Sequence, residues 1–302
     1  VDILSDVLAV VRAGRPRSAL VGWRAPWAQR FPPVPGAVGF RVVLRGECVL
    51  IPADGVPVRL GTGDVVLLPH GGPHVLADAP ETVPAAEVCD PDAPDFVEPA
   101  PADAGTLTLC GAYELAPAGG HPLLRDLPEV VHLGGGPELR STVDLLAGEL
   151  LRPGLGTGGV VPALLDLVLL YALRTWFAER RPGWGAALRD PVVNRALEAI
   201  HAEPARPWTV ATLAERGGLS RAPFARRFTE LTGRSPGRYL TWWRMTTAAR
   251  LLRESDAPLA VVAAAVGYRS EFAFATAFKR QYATAPGRYR RHAAGLPPEP
   301  VV

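Results

Sequence analysis

Residues 209–291 carry one pattern twice. Ser220, Phe224, Phe228, Pro236, Gly237, Arg238 and Tyr239 return fifty positions later as Ser270, Phe274, Phe278, Pro286, Gly287, Arg288 and Tyr289. Seven identities at one constant offset are hard to reach by chance, so this part of the chain is expected to fold as two like units. In the first, residues 208–216 read as a helix entered at Thr209, Gly217-Gly218 supply the positive φ of a tight turn, and Ser220 caps the next helix. Phe224, Phe228 and Leu231 then form its buried stripe. In the second, Leu259, Val262 and Val266 face inward, Gly267 turns, Ser270 caps, and Phe274, Phe278 and Tyr282 form the matching stripe. Two helices about a short glycine turn are a helix-turn-helix, whose second helix is able to enter a DNA major groove. Between the copies Pro236–Glu254 reads as one long helix with Tyr239, Leu240, Trp243, Thr247 and Leu251 on one side. A rigid helix there would hold two reading helices in successive major grooves, about 34 Å apart.

Charge agrees once the chain is divided. Net charge is only +2 overall, but residues 190–302 hold 17 Lys/Arg against 9 Asp/Glu, and the rest hold 15 against 21. A basic C-terminal module beside an acidic N-terminal one confines a nucleic-acid footprint to the former.

The spacing Leu213-Ala214, Gly218-Leu219-Ser220, Phe224 to Phe228, Thr232-Gly233, Pro236, Tyr239, Arg244 and Ala249 to Leu252 is matched later by Val266 to Ser270, Phe274, Phe278-Lys279-Arg280, Pro286 and Tyr289-Arg290. Together these resemble the DNA-binding domain of AraC/XylS transcription regulators. In such a domain the first turns of the recognition helices approach base edges. These are Arg221, Ala222, Ala225 and Arg226 in the first, and Glu271, Phe272, Ala275, Thr276 and Lys279 in the second, with Arg280 on phosphate. Arg226 is the expected bidentate partner of guanine, a phosphate contact or an intramolecular salt bridge being the alternative. Thr276 stands where relatives commonly carry Arg, so the second helix is expected to contribute less. Tyr239, Arg244 and Tyr289 are expected to be scaffold.

Residues 18–76 read as short strands broken by Gly and Pro, including 40–44, 48–51, 56–60 and 65–68, which points to a barrel or jelly roll. The run Gly63-Asp64 to Pro69-His70-Gly71-Gly72-Pro73-His74 resembles the second sequence motif of cupins. Cupins often hold a metal through three His and a carboxylate, two of the His coming from an H-x-H motif, for which this chain offers Phe40-Arg41-Val42. A cation there repels metal and invites an anion. Arg41, His70 and His74 are therefore the expected effector-binding residues, with no metal and no cofactor. His74 serves equally well as a barrel histidine, and His70, His74 and Cys110 remain an alternative metal set.

Residues 77–105 hold eight Asp/Glu and no Lys or Arg, and read as a mobile acidic connection. Residues 137–152 and 160–180 read as two helices. The second is apolar nearly all round and so must be buried, either within the monomer or against a second copy. At 14 residues the run 160–173 looks too short to span a bilayer, and the segment 1–11 reads as an amphipathic helix rather than a signal peptide. Cys48, Cys89 and Cys110 lack metal-site spacing and point to a reduced cytoplasmic compartment.

The expected architecture is multidomain. Residues 1–136 form an all-β cupin sensor, 137–189 a helical linker and dimerisation region, 190–292 an all-α domain of two helix-turn-helix units joined by a long helix, and 293–302 a disordered tail. The expected function is an effector-responsive transcription activator in the cytoplasm, not an enzyme and not membrane-bound. Its partners would be double-stranded promoter DNA, a small-molecule effector, RNA polymerase and a second copy of itself. The alternatives are a cupin isomerase or dioxygenase with a DNA-binding appendage, and a thiol- or metal-dependent sensor.

Overall fold

The computed structural model describes residues 2–11, 16–84, 104–114, 121–134, 136–179 and 183–293. Cys89, most of the acidic connection and the expected tail beyond residue 293 lie outside them. The chain divides into two compact units, and the division is not by halves: the N-terminal helix α1 (Ile3–Val11) belongs with residues 183–293, and residues 16–179 form the other unit.

The β-rich unit is built from β1 (Arg17–Trp23), β2 (Ala28–Phe31), β3 (Ala37–Arg45), β4 (Glu47–Pro52), β5 (Val58–Gly61), β6 (Val65–Leu68), β7 (His74–Ala77), β8 (Thr106–Glu114) and β9 (Val131–Leu133). A five-stranded sheet of order β1-β8-β3-β6-β9 faces a four-stranded sheet of order β2-β7-β4-β5, the sandwich expected of a cupin. Its core follows from strand alternation. Val43, Val66, Leu68 and Cys110 come from the first sheet, and Phe31, Cys48, Leu50, Leu60 and Leu76 from the second. Gly71 adopts φ +62 where a Cβ would collide with the carbonyl of Val34, so the turn into β7 requires glycine.

The five-stranded sheet is buried on its other face as well, which is why β6 is apolar at every position. The short helix α2 (Pro122–Arg125) is capped by His121, whose Nδ1 accepts from the Leu123 amide. Helix α3 (Pro137–Leu151) packs on β3, and α4 (Thr157–Glu179) on β9 and on α3. At 23 residues α4 is longer than the 14-residue apolar run in the sequence, and by length and composition it is able to cross a membrane. Leu165, Val168, Leu169, Ala172, Leu173, Trp176 and Phe177 are buried inside the unit, as in a core helix.

The helical unit comprises α5 (Trp184–Arg189), α6 (Pro191–Ala202), α7 (Val210–Arg216), α8 (Arg221–Thr232), α9 (Pro236–Glu254), α10 (Leu259–Ala265), α11 (Glu271–Tyr282) and α12 (Pro286–Ala293). Two segments pack elsewhere than expected. Residues 184–189, expected to be linker, form α5, because Trp184 is buried with its ring 5.9 Å from that of Tyr239. Residues 3–11, expected with the barrel, pack on α6 and α9 through buried Ile3, Leu4 and Val7. There Asp6 lies 3.4 Å from Nδ1 of His201. The His201 ring stacks on Trp243 at 3.7 Å, and its Nε2 is 2.8 Å from the Tyr239 hydroxyl. Burial lowers the His201 pKa, and Asp6 only partly opposes that shift.

Candidate nucleic-acid interface

Each head is one leading helix, one glycine turn and one recognition helix. In the first, Thr209 and Thr212 close a reciprocal capping box at the start of α7. Of the glycine pair only Gly218 takes a positive φ, +71. The second turn uses Gly267 at φ +82. The two expected serine caps differ: Ser270 Oγ accepts from the Ala273 amide at 3.4 Å, whereas Ser220 stands at its cap position without a side-chain bond.

The duplicated letters become duplicated packing. Phe224 and Phe228 of α8 lie 5.7 Å apart, and Phe228 meets Tyr239 edge-on at 5.8 Å. Phe274 and Phe278 of α11 also lie 5.7 Å apart, and Phe278 meets Tyr289 edge-on at 5.3 Å. Thr232, not Leu231, completes the buried stripe of α8, because its hydroxyl donates to the Phe228 carbonyl and can be buried without cost to its polarity. Both tyrosines are scaffold, as expected. Tyr239 OH meets His201, and Tyr289 OH accepts from Arg253 at 2.9 Å.

With those faces buried, the opposite faces are open. On α8, Arg221, Ala222 and Arg226 are exposed and Ala225 is half-buried. The Arg226 side chain is 76% exposed, and its ion-pair contact to Glu230 is 4.0 Å long, so little holds it back from a ligand. Its neighbour Arg227 turns the other way and grips Asp190 through Nε at 2.7 Å and Nη2 at 2.5 Å. Asp190 also caps α6, accepting from the Val192 and Val193 amides at 3.0 Å each. Burial alone would raise the Asp190 pKa, but Arg227 and the two amides outweigh it and hold the carboxyl below its ordinary range. The sequence pattern does not reveal this second partner of Asp190, which lies 37 residues away.

On α11, Glu271, Phe272, Thr276, Lys279 and Arg280 are exposed and Ala275 is half-buried. Phe272 is 83% exposed, an unusual setting for a large aromatic ring and one that fits contact with a partner. The two heads thus present different chemistry on the same scaffold, arginine-rich in the first and apolar with flanking cations in the second.

In the β-rich unit Arg41 and His74 come together and His70 does not join them. Arg41 lies opposite Val66 and Cys110, whose side chains point into the sandwich, and its own side chain does the same. Its guanidinium sits 4.2 Å from the Phe31 ring centroid and donates to the Phe40 and Gly111 carbonyls. His74 pairs with Phe31 across the strands and stacks on it at 4.9 Å. The His74 Nδ1 is 3.1 Å from the Gly72 carbonyl, which can only accept, so Nδ1 carries the proton and the buried Nε2 presents a lone pair. Burial, then the charge of Arg41, pushes the His74 pKa down to about 3, against the opposing bond to Gly72. His70 is exposed, with Nε2 at 2.8 Å from the Leu127 carbonyl. The expected effector set of Arg41, His70 and His74 is thus divided, with His70 apart from the other two.

Among the described residues no three His, Cys, Asp or Glu side chains are grouped to hold a metal ion. Cys48 and Cys110 are free thiols in the barrel core. Burial above all, with Cys110 and Asp64 adding to it, pushes the Cys48 thiol up to about 12, the opposite of what a reactive sensor thiolate needs.

Comparison with known proteins separates the same β-rich and helix-turn-helix regions, although the cupin match also takes in α1. A family model described as a cupin matches residues 2–178, and one described as a helix-turn-helix domain matches residues 213–292. A putative AraC-like transcription regulator of Streptomyces lividans is 37% identical, over 96% of this chain and 98% of that protein. The HTH-type transcriptional regulator AlkR of Acinetobacter baylyi is 28% identical, over 96% of this chain and 99% of its own. Among solved structures, the DNA-binding domain of AdpA in complex with a target DNA is 35% identical, over 37% of this chain and 99% of its own, with a TM-score of 0.34.

Proposed function

Since the chain belongs to the AraC-like transcription regulators, we propose that it is an effector-responsive activator whose two heads read adjacent major grooves of one promoter site. That it is a sequence-specific DNA-binding transcription regulator follows from the family itself. The observation that carries the finer reading is the repeated packing: each recognition helix buries a phenylalanine pair on a tyrosine of the following helix and leaves its other side open. Arg221 and Arg226 supply base and phosphate contacts from the first head. Glu271, Phe272, Ala275 and Thr276 read the second groove, with Lys279 and Arg280 on phosphates.

The barrel is the sensor in this reading, and the chain has no catalytic role. Arg41 and His74, both in contact with Phe31, offer a cation and a neutral acceptor nitrogen, a pair suited to an effector carrying both an anionic group and a hydroxyl. Such an effector regulates by preferring one arrangement of the protein over another. A second copy would dock on the α3–α4 face, where Leu145, Leu151, Leu155 and Val160 are exposed. The activator acts inside the cell, on RNA polymerase at the bound promoter.

The test is a selection of bound duplexes from random DNA with the full chain. The reading expects a site with two unlike half-sites one helical turn apart, whose occupancy changes with small anionic hydroxylated compounds. Recovery of a single short half-site, or of no preferred sequence, refutes it.

A further inference from the structure

Arg244 sits on α9, between the two heads, and touches both. Its Nε donates to the Pro204 carbonyl at 2.7 Å and its Nη2 to the Arg206 carbonyl at 2.8 Å, in the loop between α6 and α7 of the first head. That loop is itself braced: Trp208 Nε1 donates to the Glu203 carbonyl at 3.0 Å, and the guanidinium of Arg206 lies 4.3 Å from the Trp208 ring centroid. On the other side stands the turn of the second head. A Cβ on Gly267 would come within 2.6 Å of the Ala205 carbonyl oxygen and 2.8 Å of Arg244 Nη2, so the two heads meet here at a distance only glycine allows. Next to it Tyr268 places its ring 6.0 Å from the Arg244 guanidinium and edge-on to Phe274, the core residue of α11.

We propose that Arg244 is a positioning residue for DNA recognition, a brace that fixes the separation and phase of the two recognition helices and so the half-site spacing the protein accepts. The physical reason is geometric. A planar guanidinium donating to two carbonyls of one loop has little freedom to pivot, and the Gly267 turn rests against that same group. Without it the heads remain attached to α9, but their junction loses two charge-assisted hydrogen bonds and the surface against which it seats. Each head would keep its own reading chemistry, and the register between them would loosen. This inference rests on the two-groove reading above.

The experiment measures affinity of the full chain for duplexes carrying the two selected half-sites, with their separation stepped by single base pairs around the 10–10.5 base pairs of about one turn. Wild type is expected to lose roughly tenfold in affinity one step from its optimum, the cost of one misplaced base contact set. R244A is expected to lose less than about threefold over the same step, while its affinity for the first half-site alone stays within about twofold. An unchanged spacing profile in R244A, or an equal loss at every spacing, overturns the proposal. If R244A fails to fold, R244K and G267A decide. The first keeps the charge without the two-carbonyl fork, and the second keeps Arg244 but forces the junction apart. Both should flatten or shift the profile, and wild-type profiles in both overturn the proposal. Wild type indifferent to spacing refutes the two-groove reading and the brace with it, and is recognised before any variant is made.

Discussion

Replacing Asp190 tests whether one carboxylate joins the start of the DNA-binding helices to the first recognition helix. One oxygen caps α6 through two amides and the other holds Arg227 of α8. D190A removes both roles. The cap is worth about 1 kcal/mol. The pair with Arg227, whose side chain is half exposed while that of Asp190 is 8% exposed, adds about 1–2 kcal/mol after allowance for solvent on the arginine side. D190A should therefore destabilise the helical unit by about 2–3 kcal/mol, and D190N, whose amide oxygen still caps, by about 1–2. Amide exchange at Val192 and Val193 separates the roles. It should accelerate strongly in D190A and little in D190N. Arg227→Met should cost about as much as D190N, and the double variant D190N/R227M little more than either alone. The sign of the pH dependence follows from the lowered carboxyl pKa. The stabilisation is present above the unfolded value of about 3.9 and is lost as pH falls through the lower folded value, so D190N should show a flatter acid limb than wild type. Equal exchange at Val192 and Val193 in D190A and D190N, or additive losses in the double variant, would refute the shared-carboxylate account.

Arg226→Ala should weaken binding to the selected site by about 1–3 kcal/mol and flatten preference at one base pair while leaving stability within about 0.5 kcal/mol, as titrations on cognate and random duplexes would show; equal loss on both makes it a phosphate contact. The two heads end their recognition helices differently: Gly233 takes φ +71, but Ala283 takes φ +55 at the matching place. Ala283→Gly should stabilise the second head by about 0.5–1 kcal/mol and Gly233→Ala should destabilise the first by about 1, read by amide exchange in α11 and α8. His74, pushed down to about 3 in the fold, contributes stability that is whole above about pH 6.5 and is lost as pH falls toward 3. In urea unfolding followed through Trp23, Trp27 and Trp176 of the β-rich unit, with Trp184, Trp208, Trp242 and Trp243 replaced by Phe, a His74→Phe variant should show a flatter slope across that window.

The heads were legible because their determinants are local. Turn glycines, phenylalanines spaced by one helical turn and Pro at the first position of α9 act over a few residues, and the observed bounds of α9 match the expectation. The strands 65–68 and the helix from 137 were legible for the same reason. What escaped depends on partners distant in sequence. The segment 3–11 is amphipathic wherever it docks, so nothing within it names α6 and α9 as its seat. In the cupin-like motif His74 is the histidine expected to face the barrel interior, and the sequence does not say where His70 goes. Strand β7 carries one inward beside Phe31, and the turn before it leaves the other at the Leu127 carbonyl. Arg226 and Arg227 are adjacent and alike, and only the position of Asp190 decides which of them is held within the protein.

The docking of α1 has a consequence for how the protein is made. The unit that reads DNA is assembled from two stretches of chain with the whole barrel between them. On the ribosome, Ile3, Leu4 and Val7 emerge long before the helices that will cover them, so this small greasy patch must wait without its seat until α6 and α9 have been made. A fragment trimmed to residues 183–293 would leave that seat bare, and restoring residues 1–11 as a separate peptide should quiet its tendency to self-associate.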